Sequence, residues 1–218
     1  MLPTEPVHPL KDVWLKPRRV FRELASRPVG ITDYALASAQ GVGNFLAVYR
    51  TEGAGTHVTV ADILEHSFAY GAITGAVTLL LMSFIYGRLG ARAGGKSTTA
   101  QVIHVLAYGG VPLVASLALW VLTALLLGKA AFVEAARDNA EVFLALLLHV
   151  QFTLYVLLLI WSIVLQVMGL SEIQGVTTRK AFGIWVLGQL IGVLASLFLA
   201  LLIEWLFPGL LIRVIPQR

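Results

Sequence analysis

Residues Gly87 to Pro112 read GRLGARAGGKSTTAQVIHVLAYGGVP. Within them Gly90, Gly95, Lys96 and Ser97 match the phosphate-binding P-loop pattern letter by letter. Taken alone, that pattern points to ATP or GTP. A P-loop works by joining a buried strand to a helix, so that backbone N–H groups wrap the phosphates and the helix N-terminus adds positive potential. Here one apolar stretch long enough to cross a membrane precedes the glycines and another follows them. No βαβ pattern occurs, and no Asp ends an apolar strand where it would support a metal ion. The pattern fails its context, and nucleotide binding is set aside. A milder reading keeps part of the physics. The loop carries Arg88, Arg92 and Lys96 with no acid, so its N–H groups and Lys96 are placed to meet a lipid phosphate. The plainer reading is a tight interhelical loop whose basic residues set topology.

The flanks decide the fold class. Hydrophobic residues make up 58% of the 218-residue chain and charged residues 13%; soluble domains run at roughly 45–50% and about 25%. The excess lies in blocks of about 20 residues, the length of a membrane span. The expectation is an all-α polytopic bundle with five transmembrane helices: Ile31 to Tyr49, His66 to Tyr86, Gln101 to Leu127, Val142 to Met168 and Ala181 to Phe207. The first is the least apolar. Its Gln40, Gly41, Gly43 and Asn44 suit a helix packed among others. Gly71 with Gly75 and Gly188 with Gly192 form two GxxxG faces. Gly109, Gly110 and Pro112 interrupt the third span, where a proline removes a backbone bond and a kink follows. The fourth, rich in Leu, Val and Ile, reads as lipid-facing. With no cysteine, disulfides, thiolate metal sites and cysteine nucleophiles are excluded.

Residues 1–30 read as a cytoplasmic segment, 31–210 as the membrane domain and 211–218 as a short external tail. The opening MLPTEPVHPL has three prolines and no apolar core, so it does not read as a signal peptide. Pro17 suits a first helical turn. At about 100° per residue, Val20, Phe21 and Leu24 fall opposite Arg18, Arg19 and Arg22, and Trp14 extends the apolar side. That pattern predicts a short amphipathic helix in the membrane interface, with arginines near anionic headgroups. Eleven Lys and Arg fall on the side of the N-terminus and five on the other. The N-terminus is therefore expected in the cytoplasm and the C-terminus outside.

Polar residues inside spans are the candidates for chemistry. Gln40, Asn44, Gln189 and Tyr108 fall at similar depth near the Pro112 break. Transporters bind substrates at broken helices near the midplane; the plainer reading is a proline kink with amides bonded between helices. Toward the outer side, His66, His149 and Glu204 reach one level and form a possible ion or proton site, against ordinary helix-end residues snorkelling to water. His104 reads as an interfacial histidine beside the basic loop. No nucleophile–base–acid set occurs, so no enzyme activity is expected. No cofactor motif and no nucleic-acid platform are present.

Gly94-Gly95-Lys96 followed by Tyr108 and Pro112 as Y-x-x-x-P, Gly169-Leu170-Ser171 running to Lys180-Ala181, and the Trp14, Pro17, Phe21 opening together resemble the Yip-type family of Ypt/Rab-interacting membrane proteins. The resemblance covers the chain from about Trp14 onward. It implies five spans and a cytoplasmic N-terminus. Eukaryotic members act in vesicle traffic, associating with small prenylated GTPases and with each other. This chain lacks a long polar N-terminal domain and an Asp-Leu-x-Gly-Pro motif; Arg27-Pro28-Val29-Gly30 stands in that place. It is therefore similar to a compact prokaryotic branch, and small-GTPase binding is doubtful. The expected partners are membrane lipids, other membrane proteins or further copies of the chain. The expected role is non-catalytic, with Trp14, Arg18, Arg19, Phe21, Arg22, Arg88, Arg92 and Lys96 meeting lipids or partners. The alternative is a small transporter, channel or lipid-moving protein.

Overall fold

A computed structural model describes residues 6–133 and 142–206. The helices are α1 (Pro9–Asp12), α2 (Pro17–Leu24), α3 (Ile31–Thr51), α4 (Val60–Arg92), α5 (Thr99–Gly109), α6 (Val111–Leu127), α7 (Val142–Gln174) and α8 (Thr178–Leu206). Single 3₁₀ turns lie at Ala54–Thr56 and Gly128–Phe132. Among the described residues every regular element is helical.

Four stretches are long and apolar enough to cross a membrane: Val60–Arg92, the α5–α6 pair within Thr99–Phe132, Leu146–Gln174 and Thr178–Leu199. Their outer faces carry Phe68, Ile73, Val77 and Phe84 on α4, Phe152 and Leu157 on α7, and Leu190, Leu194 and Phe198 on α8. Contiguous apolar faces of this kind are stable against lipid and unsupportable in water. The helix expected as the first span forms, over Ile31–Thr51. It does not reach the apolarity of the other four.

Two helices overrun their expected ends. α4 starts at Val60, ahead of His66, because Thr59 caps it: the Thr59 hydroxyl accepts the Asp62 N–H at 3.1 Å. Nothing stops it until Gly94, whose φ of 87° is left-handed. Gly90 and Arg92 are thus helical, not loop. α7 likewise continues past Met168 through Ser171, Glu172, Ile173 and Gln174 to Gly175, at φ 66°.

α3 lies across α4 at a seam of small residues. A side chain added at Gly41 would strike the Gly71 carbonyl and the Gly75 backbone. One added at Gly71 would reach the Val42 Cα at 2.7 Å, and one at Gly75 the Ala37 carbonyl. The Ser38 hydroxyl donates across the seam to the Ala72 carbonyl at 3.0 Å. The second pair also serves packing within the chain: Gly188 faces the Tyr86 ring and Gly192 the Met82 sulfur.

The ends of the bundle alternate. At one end Arg18 reaches Thr178, and Gly95 lies against Gln174. This gathers α2, the 93–98 loop and the α7–α8 turn. At the other end Gly55 rests against the Lys129 carbonyl and Phe132. There Trp120 stacks on Phe132 beside a cavity of about 250 Å³ lined by Arg50, Trp120, Leu148, Gln151, Phe152 and Tyr155.

One substitution pair tests the seam. Gly71→Leu forces α3 and α4 apart and is expected to lower stability by about 1–3 kcal/mol or more. Gly183→Ala, which meets no neighbouring atom within 4 Å, is expected to raise it by about 0.5–1 kcal/mol. Thermal unfolding in one detergent compares them. Equal midpoints would show that the seam is not close-packed.

Candidate functional site

The α2 helix forms where its pattern predicts, but its apolar face turns inward. Val20 and Phe21 are fully buried, and Pro17 and Leu24 are buried beside them. Gly169 on α7 is what admits Phe21: a Cβ there would come within 2.9 Å of the ring. Trp14 is half-buried against the same core. Phe21 therefore contacts protein and not bilayer, which corrects the interfacial placement of that face. Four apolar side chains of α2 are thus buried in protein, where the space at Gly169 admits close packing.

The arginines follow suit. The Arg22 guanidinium lies 2.7 Å from Glu172, and Arg18 lies 3.5 Å from the same carboxylate. Arg18 also donates to the Thr178 hydroxyl at 3.2 Å. These two cations fasten α2 to the α7 terminus instead of reaching outward alone. Arg19 is exposed. Arg88, lying over the Phe84 ring at 4.9 Å, Arg92, Lys96, Arg179 and Lys180 are exposed at this end as well. The result is a basic surface with Glu172 tucked beneath it.

The glycine loop uses its own donors. The Ala93 N–H bonds back to the Leu89 and Gly90 carbonyls, Gly94 to Ala91, and Gly95 to Gly90 at 2.8 Å. Thr98 and Gln101 then form a reciprocal capping box at the start of α5, at 3.0 and 3.3 Å. The N–H groups of Ala93, Gly94, Gly95 and Thr98 are thus spent on closing one helix and opening the next.

The break in the third span is where expected. α5 ends at Gly109 and α6 begins at Val111, with Pro112 in its first turn. Side chains from other helices cap the interrupted carbonyls. Gln40 Nε2 donates to the Ala107 carbonyl at 3.2 Å, and Ser162 Oγ to Gly109 at 2.8 Å. A Cβ at Gly110 would collide with the Gln40 amide. Gln166 accepts the Trp185 indole N–H at 2.9 Å. Gln189 donates to the Tyr86 hydroxyl at 3.0 Å, which donates in turn to the Trp185 carbonyl at 3.3 Å. Tyr108 and Pro112 are buried, whereas Asn44 is exposed. The cavity at the far end is lined by none of Gln40, Asn44, Tyr108 and Gln189.

His104 is not interfacial. It is 3% exposed, as is Asp33 at the start of α3. Its Nδ1 lies 2.7 Å from Asp33 Oδ1 and its Nε2 3.1 Å from the Arg27 carbonyl. The other Asp33 oxygen accepts the Gly30 N–H at 2.9 Å. Asp33, Ser162, Gln166, Glu172 and Trp185 escaped the sequence reading. Ser162 and Gln166 are i and i+4 in an apolar span, a spacing that puts two polar groups on one face and marks a buried seam. On the far side, His66 bonds the Asp62 carbonyl of its own helix at 2.7 Å and stacks on Tyr70. His149 is exposed. The side chain of Glu204 and the tail 211–218 lie outside the described residues. Among the described residues no group of three His, Cys, Asp or Glu side chains is placed to hold a metal.

The Yip1 domain family matches residues 11–202 of the chain. No curated protein and no solved structure matches it.

If burial rather than charge docks α2, the two contributions separate by mutation. Phe21→Ala is expected to cost about 3–5 kcal/mol. Glu172→Gln, whose partners are half-exposed or more, is expected to cost about 1 kcal/mol or less. Chemical unfolding in detergent measures both; the reverse order would make the ion pairs the anchor.

Proposed function

We propose, for a chain that belongs to the Yip1 domain family and is an integral membrane protein with several apolar spanning helices, a non-catalytic role: binding anionic lipids and other membrane proteins at one membrane face and organising the bilayer there. The observation that carries this reading is the basic end. Arg88, Arg92, Lys96, Arg179 and Lys180 are exposed together, beside α2. Each Lys or Arg near an anionic surface contributes about 1 kcal/mol of attraction. Further copies of the chain fit the same role as partners, since long apolar faces on α4 and α8 are open.

The arrangement in the membrane that goes with this role has five crossings. α3 is 21 residues long, about 32 Å at 1.5 Å per residue, enough to cross a core about 30 Å thick. It runs from the α2 end to the Gly55 end. Its position, flanked by α4, α5 and α6, gives Asp33, Ser38 and Gln40 protein partners instead of lipid. The excess of Lys and Arg puts the α2 end in the cytoplasm.

Two measurements test the reading. The chain has no cysteine, so single substitutions report topology without background. Ser97→Cys is expected to react with an impermeant maleimide only from the cytoplasmic side, and Thr56→Cys only from outside. Labelling of both from one side would end the five-crossing arrangement. For lipid binding, the triple substitution Arg88→Gln, Arg92→Gln, Lys96→Gln is expected to lower the preference of the reconstituted protein for phosphatidylserine over phosphatidylcholine by tenfold or more. Native mass spectrometry of retained lipid reads the ratio; an unchanged ratio would refute the basic end as a lipid site.

A further inference from the structure

The buried Asp33–His104 pair takes part in no contact with the basic surface, yet it sits at the joint that connects α2 to the bundle. Its hydrogen bonds restrict what it can be. The Arg27 carbonyl accepts only, so His104 Nε2, 3.1 Å away, must carry a proton. Between Nδ1 and Asp33 Oδ1, 2.7 Å apart, a second proton is needed, whether it rests on the ring or on the carboxyl. Without it, a nitrogen lone pair faces a carboxylate at hydrogen-bond distance. If the neutral ring instead keeps its proton at Nδ1, the lone pair at Nε2 faces the Arg27 carbonyl. One of the two contacts must therefore open when the site loses a proton, because a buried polar group facing a like partner is costly.

The contact that opens is the one to Arg27, because a proton kept at Nδ1 makes a charge-assisted bond to the Asp33 carboxylate, stronger than a bond to a neutral carbonyl. Arg27 belongs to the turn between α2 and α3, and α5 holds that turn by two bonds. Gln101 Nε2 donates to the Ala25 carbonyl at 3.1 Å, and His104 faces the Arg27 carbonyl one helical turn later. The first bond does not titrate and the second does. The charged groups acting on the ring are Asp33 from α3 and Arg27 from the turn. The Arg27 guanidinium is paired with Glu23 of α2. Tyr108, further along α5, is the other titratable group near Asp33. α4 and α7 also pack against α5 and put no charge on the ring among the described residues.

We propose that Asp33 and His104 form a proton-binding site that locks the α2–α3 turn onto α5, so that loss of one proton to solvent frees the turn and loosens the docking of α2. The docked contacts need that proton, and its loss opens the bond to the Arg27 carbonyl. Docking is therefore strongest at low pH and weakens as pH rises. This inference is independent of lipid binding at the basic end.

Hydrogen–deuterium exchange on the full chain in lipid nanodiscs tests it, with rates converted to protection factors so that intrinsic pH dependence cancels. Between about pH 5 and pH 9, a window spanning histidine titration, protection of the 25–30 amides is expected to fall tenfold or more in the wild type. Protection within α8 should stay level. His104→Gln, which has no titrating proton, is expected to flatten that dependence. A nitroxide on Ser26→Cys in the otherwise wild-type chain supplies a second readout that needs no change at the pair, and its mobility should rise over the same window. Level protection and constant nitroxide mobility in the wild type would overturn the proposal. So would a pH dependence that survives in a folded His104→Gln protein.

Discussion

Two backbones touch where Gly41 meets Gly71 and Gly75, and the rest of the bundle is arranged around that contact. Lipid tails are as apolar as leucine, so helices in a bilayer gain little by hiding apolar side chains from them. What holds them together is close van der Waals approach and hydrogen bonds that lipid cannot supply. The small residues of α3 and α4 provide the first. The Ser38 bond to Ala72 provides the second at the same seam. With α3 fixed there, its Gln40 is in position to cap the carbonyl of Ala107, and its Asp33 to meet His104.

The same rule governs the broken third span. A helix interrupted at membrane depth exposes carbonyl groups with no water to satisfy them. Gln40 and Ser162 occupy two of those positions, while Gln166, Trp185, Tyr86 and Gln189 extend the bonding between α4, α7 and α8. A helix break can serve as a binding site only where such groups are left open to a ligand. Here they are used to join helices. The polar residues of this membrane domain are thus structural connectors in the first instance, and the exposed chemistry gathers at the basic end.

The four long apolar stretches and the main packing faces were legible because they rest on composition and period. Apolar length marked the four long spans, Gly71 with Gly75 and Gly188 with Gly192 marked two seams, and Gly109 to Pro112 marked the break. The glycine loop was legible as a connection between two apolar helices, α4 and α5. Partner choice was not legible. The amphipathic pattern of α2 says that Val20, Phe21 and Leu24 share a side; it does not say whether that side meets lipid or Gly169. Likewise His104 near a span end reads as interfacial until Asp33, 71 residues away in sequence, is brought beside it. Helix ends were misplaced where caps decided them, at Thr59, Gly94 and Gly175.

The shielding of α3 also bears on how the protein is made. In the five-crossing arrangement, α3 leaves the ribosome before the helix that covers its glycine seam. Alone in the insertion machinery, with Asp33, Gln40, Gly41, Gly43 and Asn44 uncovered, it partitions poorly into lipid. α4, 33 residues long and far more apolar, follows after the short 52–59 connection. The natural unit of insertion is then the α3–α4 hairpin, retained once its second arm arrives. A substitution at Gly71 would thus act twice: on the finished fold, and on the yield of chains that ever reach the bilayer.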